Sequence, residues 1–427
     1  MEQKIGKNSG NPRLDPANME EQESDTEGML TLWLEELIND EDFLADVVET
    51  IEGWREILST SNINPDELRF HMAGESHLDM AYKWRYEQTR KKSARTLAKA
   101  VKHSELFPEF FNFVVSNPQQ FYWLKQDYPE LYAKVKKYIS SGNIEPVGGC
   151  WVETDCVMPS GEAFIRQRLH GMMFYREEFN IEPKIAWFPD TFGYSIGLPQ
   201  ILKKSGADYF LSSKMPWNKQ NLFPFVNFWW EGPDGSRILC YSGRTNLQLI
   251  DQWKKYAKFR HLLKSEGQRY WNYENQVDGI KDHLDQHEFV QPIPLFYGSG
   301  DGGHGPKHKE VAEMIAFQKC SSSTGLQFNW SSAHEYFKDV ETFSDRLPIW
   351  KDEMYLEYHR GTFTVHPEIK RYNRKFETLL QAAETAGTLL SLVDEAYVYP
   401  YDILDRLWKD VLLNQFHDVL PGSCIPE

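Results

Sequence analysis

The chain of 427 residues reads as an α/β protein, on two observations. From Leu68 onward, short apolar runs alternate with longer helix-like stretches, the texture of parallel strands joined by helical crossovers. Three of these runs also end in turns that carry carboxylates or imidazoles: Phe70-His71-Met72-Ala73 before residues 74–79, Ile185-Ala186-Trp187-Phe188 before Pro189-Asp190, and the run 292–297 before the glycine-rich 298–305. In α/β architectures the carboxyl edge of the strands is where ligands bind.

In chain order, residues 1–28 are hydrophilic and rich in Glu, Asn, Ser, Gly and Pro, and are expected to be a disordered acidic leader. Within residues 29–64 the pattern Leu30, Leu32, Trp33, Leu34, Leu37, Ile38, Phe43, Leu44, Val47, Val48, Ile51, Trp54 and Ile57 fits one or two amphipathic helices. A strand at 69–73 leads through His77 and Asp79 into a charged helix over about 81–103, and further helical segments run through Lys137 to the turn Ser141-Gly142-Asn143. An extended piece at 148–155 and a helix at 161–179 precede the strand 183–188, and a short helix with a terminal glycine covers 197–206. After the strand at 292–297, the stretches 370–393 and 401–416 are purely helical, and His417 falls at the carboxyl end of the second. These features divide the chain into the leader, the helices of 29–64, an α/β unit over 65–345 and a helical unit over 346–427.

A formal charge of -16 argues against a nucleic-acid partner, since phosphate binding needs clustered Lys and Arg. No run of roughly 18 apolar residues offers a membrane span or signal core. Cys150, Cys156, Cys240, Cys320 and Cys424 are odd in number and scattered, with no CxxC pair, which fits a reducing, cytoplasmic setting. Aromatics make up 14% of the chain, and such residues grip sugar faces as well as fill cores.

His77 and Asp79 are two apart, so an extended backbone points both to one face, where they can share a cation. Asp190 lies between a strand and a helix, in a site position or as an ordinary turn or N-cap residue. Asp301 sits in a loop that no GK[ST] follows, which disfavours a phosphate cradle. His417, taken alone, is equally a helix-end histidine.

The ordered motifs GESHLDMAYKW (74–84), GGCWVETDCVMPSGE (148–162), WFPDTFGYSIGLPQILKKSG (187–206), FWWEGPDGS (228–236), GSGDGG (298–303), LEYHRGTFT (356–364) and LLNQFHDVLPGS (412–423) resemble glycoside hydrolase family 38, the retaining α-mannosidases, in particular their cytosolic and prokaryotic branch. The resemblance implies a (β/α)7-type barrel followed by the start of a helical bundle. It implies a zinc ion, with cobalt or manganese as substitutes, held by His77, Asp79, Asp190 and His417. Asp190 would be the nucleophile and Asp301 the general acid/base. Lys214 matches a basic residue near the nucleophile; Trp151, Glu153 and Asp155 lie in a motif bordering the sugar site; Tyr82 stands where a tryptophan stacks on mannose. Family members usually continue for several hundred residues past the QFHD motif, which leaves three expectations open: a companion chain that supplies the rest, a homo-oligomer, or a truncated product with little activity. A metal-dependent carbohydrate deacetylase and a non-catalytic zinc- or carbohydrate-binding subunit remain open as alternatives.

Overall fold

A computed structural model describes residues 32, 34–60, 64–243 and 291–426. The leader expected over 1–28 lies outside the described residues. Helix α1 (Glu41–Ser59) buries Phe43, Val47, Ile51 and Trp54 along one stripe, and Trp54 packs on Phe317 with ring centroids 5.4 Å apart.

The expected α/β fold follows. Its strands are β1 (Arg69–Glu75), β2 (Phe113–Val115), β3 (Ile144–Pro146), β4 (Ile185–Trp187), β5 (Tyr209–Ser212), β6 (Asn227–Glu231), β7 (Arg237–Ser242), β8 (Ile293–Tyr297), β9 (Gln327–Trp330) and β10 (Ile349–Trp350). Hydrogen bonds gather them into two sheets, β3-β2-β1-β8 with β9 also on β1, and β10-β6-β7-β5-β4. All pairings are parallel except the β6–β7 hairpin. The Gly148 N–H donates to the Ile185 carbonyl at 2.8 Å and carries the order from β3 to β4. The order β8-β1-β2-β3-β4-β5-β7 thus strings parallel strands around one interior.

Side-chain alternation shows that the interior is shared. Ala73, Val114, Ile185, Trp187, Tyr209, Leu211, Leu239, Tyr241 and Phe296 form one buried cluster, whereas their neighbours Met72, Phe113, Ala186, Phe210, Cys240 and Leu295 belong to clusters on the other face. A period of two with both faces buried is the pattern of a barrel wrapped by helices. The wrapping helices are α2 (Tyr86–Leu106), α3 (Pro118–Asp127), α4 (Pro129–Ser140), α5 (Gly161–Phe179), α6 (Leu198–Lys204), α7 (His308–Thr324) and α8 (Ala333–Glu341). Helix α2 starts later than the expected residue 81, because residues 76–85 form the irregular segment that carries the site.

Helices α9 (Pro367–Val393) and α10 (Tyr401–Asn414) pack on each other and dock on α5. Arg166 makes a two-pronged contact to Glu384 at 2.8 and 2.7 Å, and the Gln167 amide donates to the Leu412 carbonyl at 2.8 Å. Among the described residues no helix is long and apolar enough to cross a membrane.

Candidate metal centre and active site

Chain segments far apart in sequence converge at the carboxyl ends of the strands. Past β1 the backbone stays extended, and its residue Leu78 bridges Gly302 in antiparallel fashion. The Gly303 N–H donates to the His77 carbonyl at 3.2 Å and the Asp79 N–H to the Asp301 carbonyl at 2.9 Å. His77 and Asp79, one residue either side of Leu78, therefore share a face, as their spacing predicts. Asp301 itself is held at φ +48°, and the loop around it is fixed by Arg95 on the Gly302 carbonyl at 2.9 Å and by Thr96 on the Gly303 carbonyl. At the loop's start Gly298 has φ +143°, and a Cβ there would collide with the Glu75 carbonyl, so no other residue fits.

Asp190 follows β4, where the Ser213 N–H donates to the Pro189 carbonyl at 3.0 Å and ties its turn to the end of β5. His417 arrives from the end of α10: Phe416 bridges Thr154, the Asp155 N–H donates to the Gln415 carbonyl at 2.8 Å, and the His417 ring is 0% exposed.

One donor atom from each of His77, Asp79, Asp190 and His417 lies within 4.8 Å of all the others. His77 Nε2 is 2.9 Å from Asp79 Oδ1 and 3.8 Å from Asp190 Oδ2; His417 Nε2 is 3.5 Å from Asp79 Oδ1 and 3.8 Å from Asp190 Oδ2. The imidazoles stack at 5.3 Å. Two imidazoles and two carboxylates suit a borderline divalent cation. The buried His417 Nε2 makes no hydrogen bond, as a nitrogen kept for a metal would.

The charges respond to this crowding. Burial works hardest against a protonated His77, yet the Glu153 and Asp79 carboxylates lift its pKa well above the usual value. His417 is raised as well: burial opposes, and the contact to Asp79 and the charge of Asp418 outweigh it. Asp79 moves down, since His77 and His417 more than offset its burial. Asp301 is raised, first by desolvation and then by the like charges of Asp79 and Asp190 against His77 and Lys214, although the residue as a whole is exposed. Burial pushes Glu75, at the end of β1, up to about 7.

Lys214, just past β5 and 5% exposed, pairs with Asp190 Oδ1, and its Nζ lies 4.0 Å from the Trp217 ring centroid. The two oxygens of Asp190 are thereby divided, one toward the donor cluster and one toward a cation. The other expected sugar-site residues are placed differently. Tyr82 is half-buried, edge-on to Trp84 at 5.9 Å, and its carbonyl accepts from the Ile425 N–H at 2.7 Å. Trp151 is a core residue: 0% exposed, packed on Tyr122 and Phe174, with Nε1 donating to Gln119 at 2.7 Å. Asp155 is buried and caps its own turn, accepting from the Val157 and Met158 N–H groups at 2.9 and 2.6 Å. Glu153 lies behind the histidines, with Oε2 at 3.2 Å from His77 Nδ1 and its carbonyl at 2.8 Å from His417 Nδ1. Phe192, Trp217 and His359, which the sequence did not single out, form a ring cluster beside Lys214, with the first and last of them 4.6 Å apart. Phe192 and His359 lie within the motifs 187–206 and 356–364, and the aromatic excess was the only signal for Trp217.

Residues 67–353 match the glycosyl hydrolases family 38 N-terminal domain, and residues 357–427 match the alpha mannosidase middle domain. The chain is 34% identical to alpha-mannosidase G of Dictyostelium discoideum over 91% of its length, 37% identical to human alpha-mannosidase 2C1 over 83%, and 36% identical to the alpha-mannosidase of Saccharomyces cerevisiae over 82%. It spans 33%, 32% and 31% of those proteins, about a third of each. Among solved structures, an alpha-mannosidase from Enterococcus faecalis superposes on 84% of the chain, and the chain on 39% of it, with a TM-score of 0.67 at 18% identity, a likeness of fold.

Proposed function

The chain belongs to glycosyl hydrolase family 38, and from that premise we propose that it hydrolyses α-mannosides with retention of configuration at a zinc site, using Asp190 as nucleophile and Asp301 as acid/base. The observation that supports this most is the convergence of His77, Asp79, Asp190 and His417 from three separate segments onto one point.

When bound, the divalent cation (zinc, with cobalt or manganese able to substitute) supplies positive charge that grips sugar hydroxyls and neutralises the facing carboxylates. The rest falls to side chains. Asp190 forms a bond to the anomeric carbon while the glycosidic C–O bond breaks, and Asp301 gives its proton to the departing oxygen. Its raised pKa favours the acid form needed in that first step. In the second step Asp301 takes a proton from water, whose oxygen bonds to the anomeric carbon and releases Asp190. Lys214, paired with one Asp190 oxygen, orients the carboxylate, and Trp217, Phe192 and Tyr82 supply apolar faces for the sugar. Five unpaired cysteines, four of them buried, support a reducing, cytoplasmic setting.

The test is hydrolysis of an aryl α-mannoside, followed by the anomeric signal of the product. The α-anomer of mannose should appear first, and Asp190→Ala should lower kcat by at least about 10³-fold, the scale on which a catalytic triad member fails. A β-anomer, or an Asp190→Ala variant with wild-type turnover, would refute the assignment.

A further inference from the structure

We infer that Glu153 is a positioning residue that aims both histidine ligands at the metal, holding His77 through its carboxylate and His417 through its main-chain carbonyl. The inference rests on the four-ligand reading above.

A histidine binds a metal through a nitrogen that carries no proton, and which nitrogen that is depends on the hydrogen bond made by the other. His417 Nδ1 lies 2.8 Å from the Glu153 carbonyl oxygen. A carbonyl can only accept, so Nδ1 carries the hydrogen and, in the neutral ring, Nε2 is left with its lone pair facing Asp79 and Asp190. His77 is arranged in the same sense. Its Nε2 points to Asp79 and Asp190, and its Nδ1 lies 3.2 Å from Glu153 Oε2, within ion-pair range but off the line of a hydrogen bond. Both atoms of that contact are buried and have no hydrogen-bond partner elsewhere, so each is the complement the other lacks.

Glu153 is itself fixed. Ser116 and Asn117, just past β2, donate to its other oxygen, Asn117 Nδ2 at 3.3 Å, and its N–H donates to Asn117 Oδ1 at 2.7 Å. It is 2% exposed and meets the Nδ1 atoms of both imidazoles, whose Nε2 atoms face Asp190. That placement suits a support for the ligands and leaves no face for sugar, in contrast to the sugar-site role expected from its motif. One residue thus sets the tautomer of two ligands that come from opposite ends of the fold.

Glu153→Gln separates this role from packing. The amide keeps the volume, and its oxygen can still accept from Ser116 and Asn117. Its nitrogen, however, offers hydrogens to His77 Nδ1 and drives the ring proton to Nε2, the atom a metal needs. In a competition titration of the full chain with Zn2+ against a chromophoric chelator, affinity should fall about 10- to 100-fold, as outer-shell changes do. The metal-free variant should remain folded at the titration temperature by circular dichroism, although it loses the charge beside His77. Unchanged affinity overturns the inference, and so does a loss of affinity in a variant that is unfolded without metal. His417→Ala is titrated in parallel: if it binds Zn2+ as the wild type does, the four-ligand reading falls; if it loses metal while Glu153→Gln does not, only the positioning role falls.

Discussion

The barrel and the helical pair α9–α10 reach the same site by different means. Around the barrel interior Trp187, Tyr209, Leu211 and Leu239 are each 1% exposed or less, and the strand ends inherit that rigidity. On the helical pair Leu392, Val393 and Val398 are 77%, 80% and 83% exposed, and α9 buries only Glu377, Leu380 and Gly387. Yet His417, at the end of that loosely covered unit, is as buried as any barrel residue. Its position is set by polar latches: Gln415 donates to Asn373 and Glu377 at 2.9 and 3.0 Å, and residues 415–417 hydrogen-bond along 153–155. A ligand can be held firmly by a few buried hydrogen bonds where a large apolar core is missing.

The sharpest break of that contrast lies in the barrel. Trp187→Ala should cost about 3–5 kcal/mol in denaturant unfolding, because a cavity there has no room to collapse. A cost near that of a surface change would mean the interior is not close-packed. Next comes the proposed metal, which would tie His417 to the barrel: Zn2+ at about 1,000 times its Kd should add about 4 kcal/mol, read as the melting difference with and without chelator. At a fixed Zn2+ concentration this gain should grow as pH rises from about 5.5 to 8.5. In the metal-free chain the pKa values of His77 and His417 are raised, so their stabilisation is full below the unfolded value near 6.5 and is lost as pH climbs through the folded values. A metal competes with those same protons, so it gains where they leave. A difference that shrinks with rising pH would contradict the ligand set.

A smaller effect isolates the latch. Arg166→Ala removes the two-pronged contact and leaves Glu384 with the Trp408 Nε1 donor alone, and should cost about 1–3 kcal/mol, seen as faster proteolysis within 367–426 while barrel strands keep their hydrogen-exchange protection. Smallest of all, Val393→Ser should change stability by less than about 0.5 kcal/mol, since the side chain touches little. A larger loss would show that this face is packed in solution.

The site was legible in the sequence where chemistry and spacing coincide. His77 and Asp79 on one extended face, Asp190 past an apolar run and His417 past an amphipathic helix each carried a local signal, and their ordered motifs joined them. What was not legible is direction across space. Trp151, Glu153 and Asp155 alternate along one segment, and nothing local tells that the first enters the core, the second backs two imidazoles and the third caps its own turn. The β6–β7 hairpin, with Gly235 at φ +81°, had a turn signature in Gly232-Pro233-Asp234-Gly235 that went unread beside the parallel pattern. The helix boundaries at 161–179 and 393 agree with the reading because Ser160 is an N-cap and Asp394, in an extended conformation, stops the second, whereas α2 starts late because residues 76–85 form the irregular segment at the site.

The short antiparallel bridge between 77–79 and 301–303 also bears on how such a chain can change. Two proposed ligand residues and the proposed proton donor are registered by two backbone hydrogen bonds, so a single-residue insertion or deletion in either strip displaces all three together. Drift toward a new substrate must therefore proceed by exchanging side chains at fixed positions or by lengthening loops elsewhere. On the proposed mechanism, metal site and acid are inherited as one character, not as two that selection could tune apart.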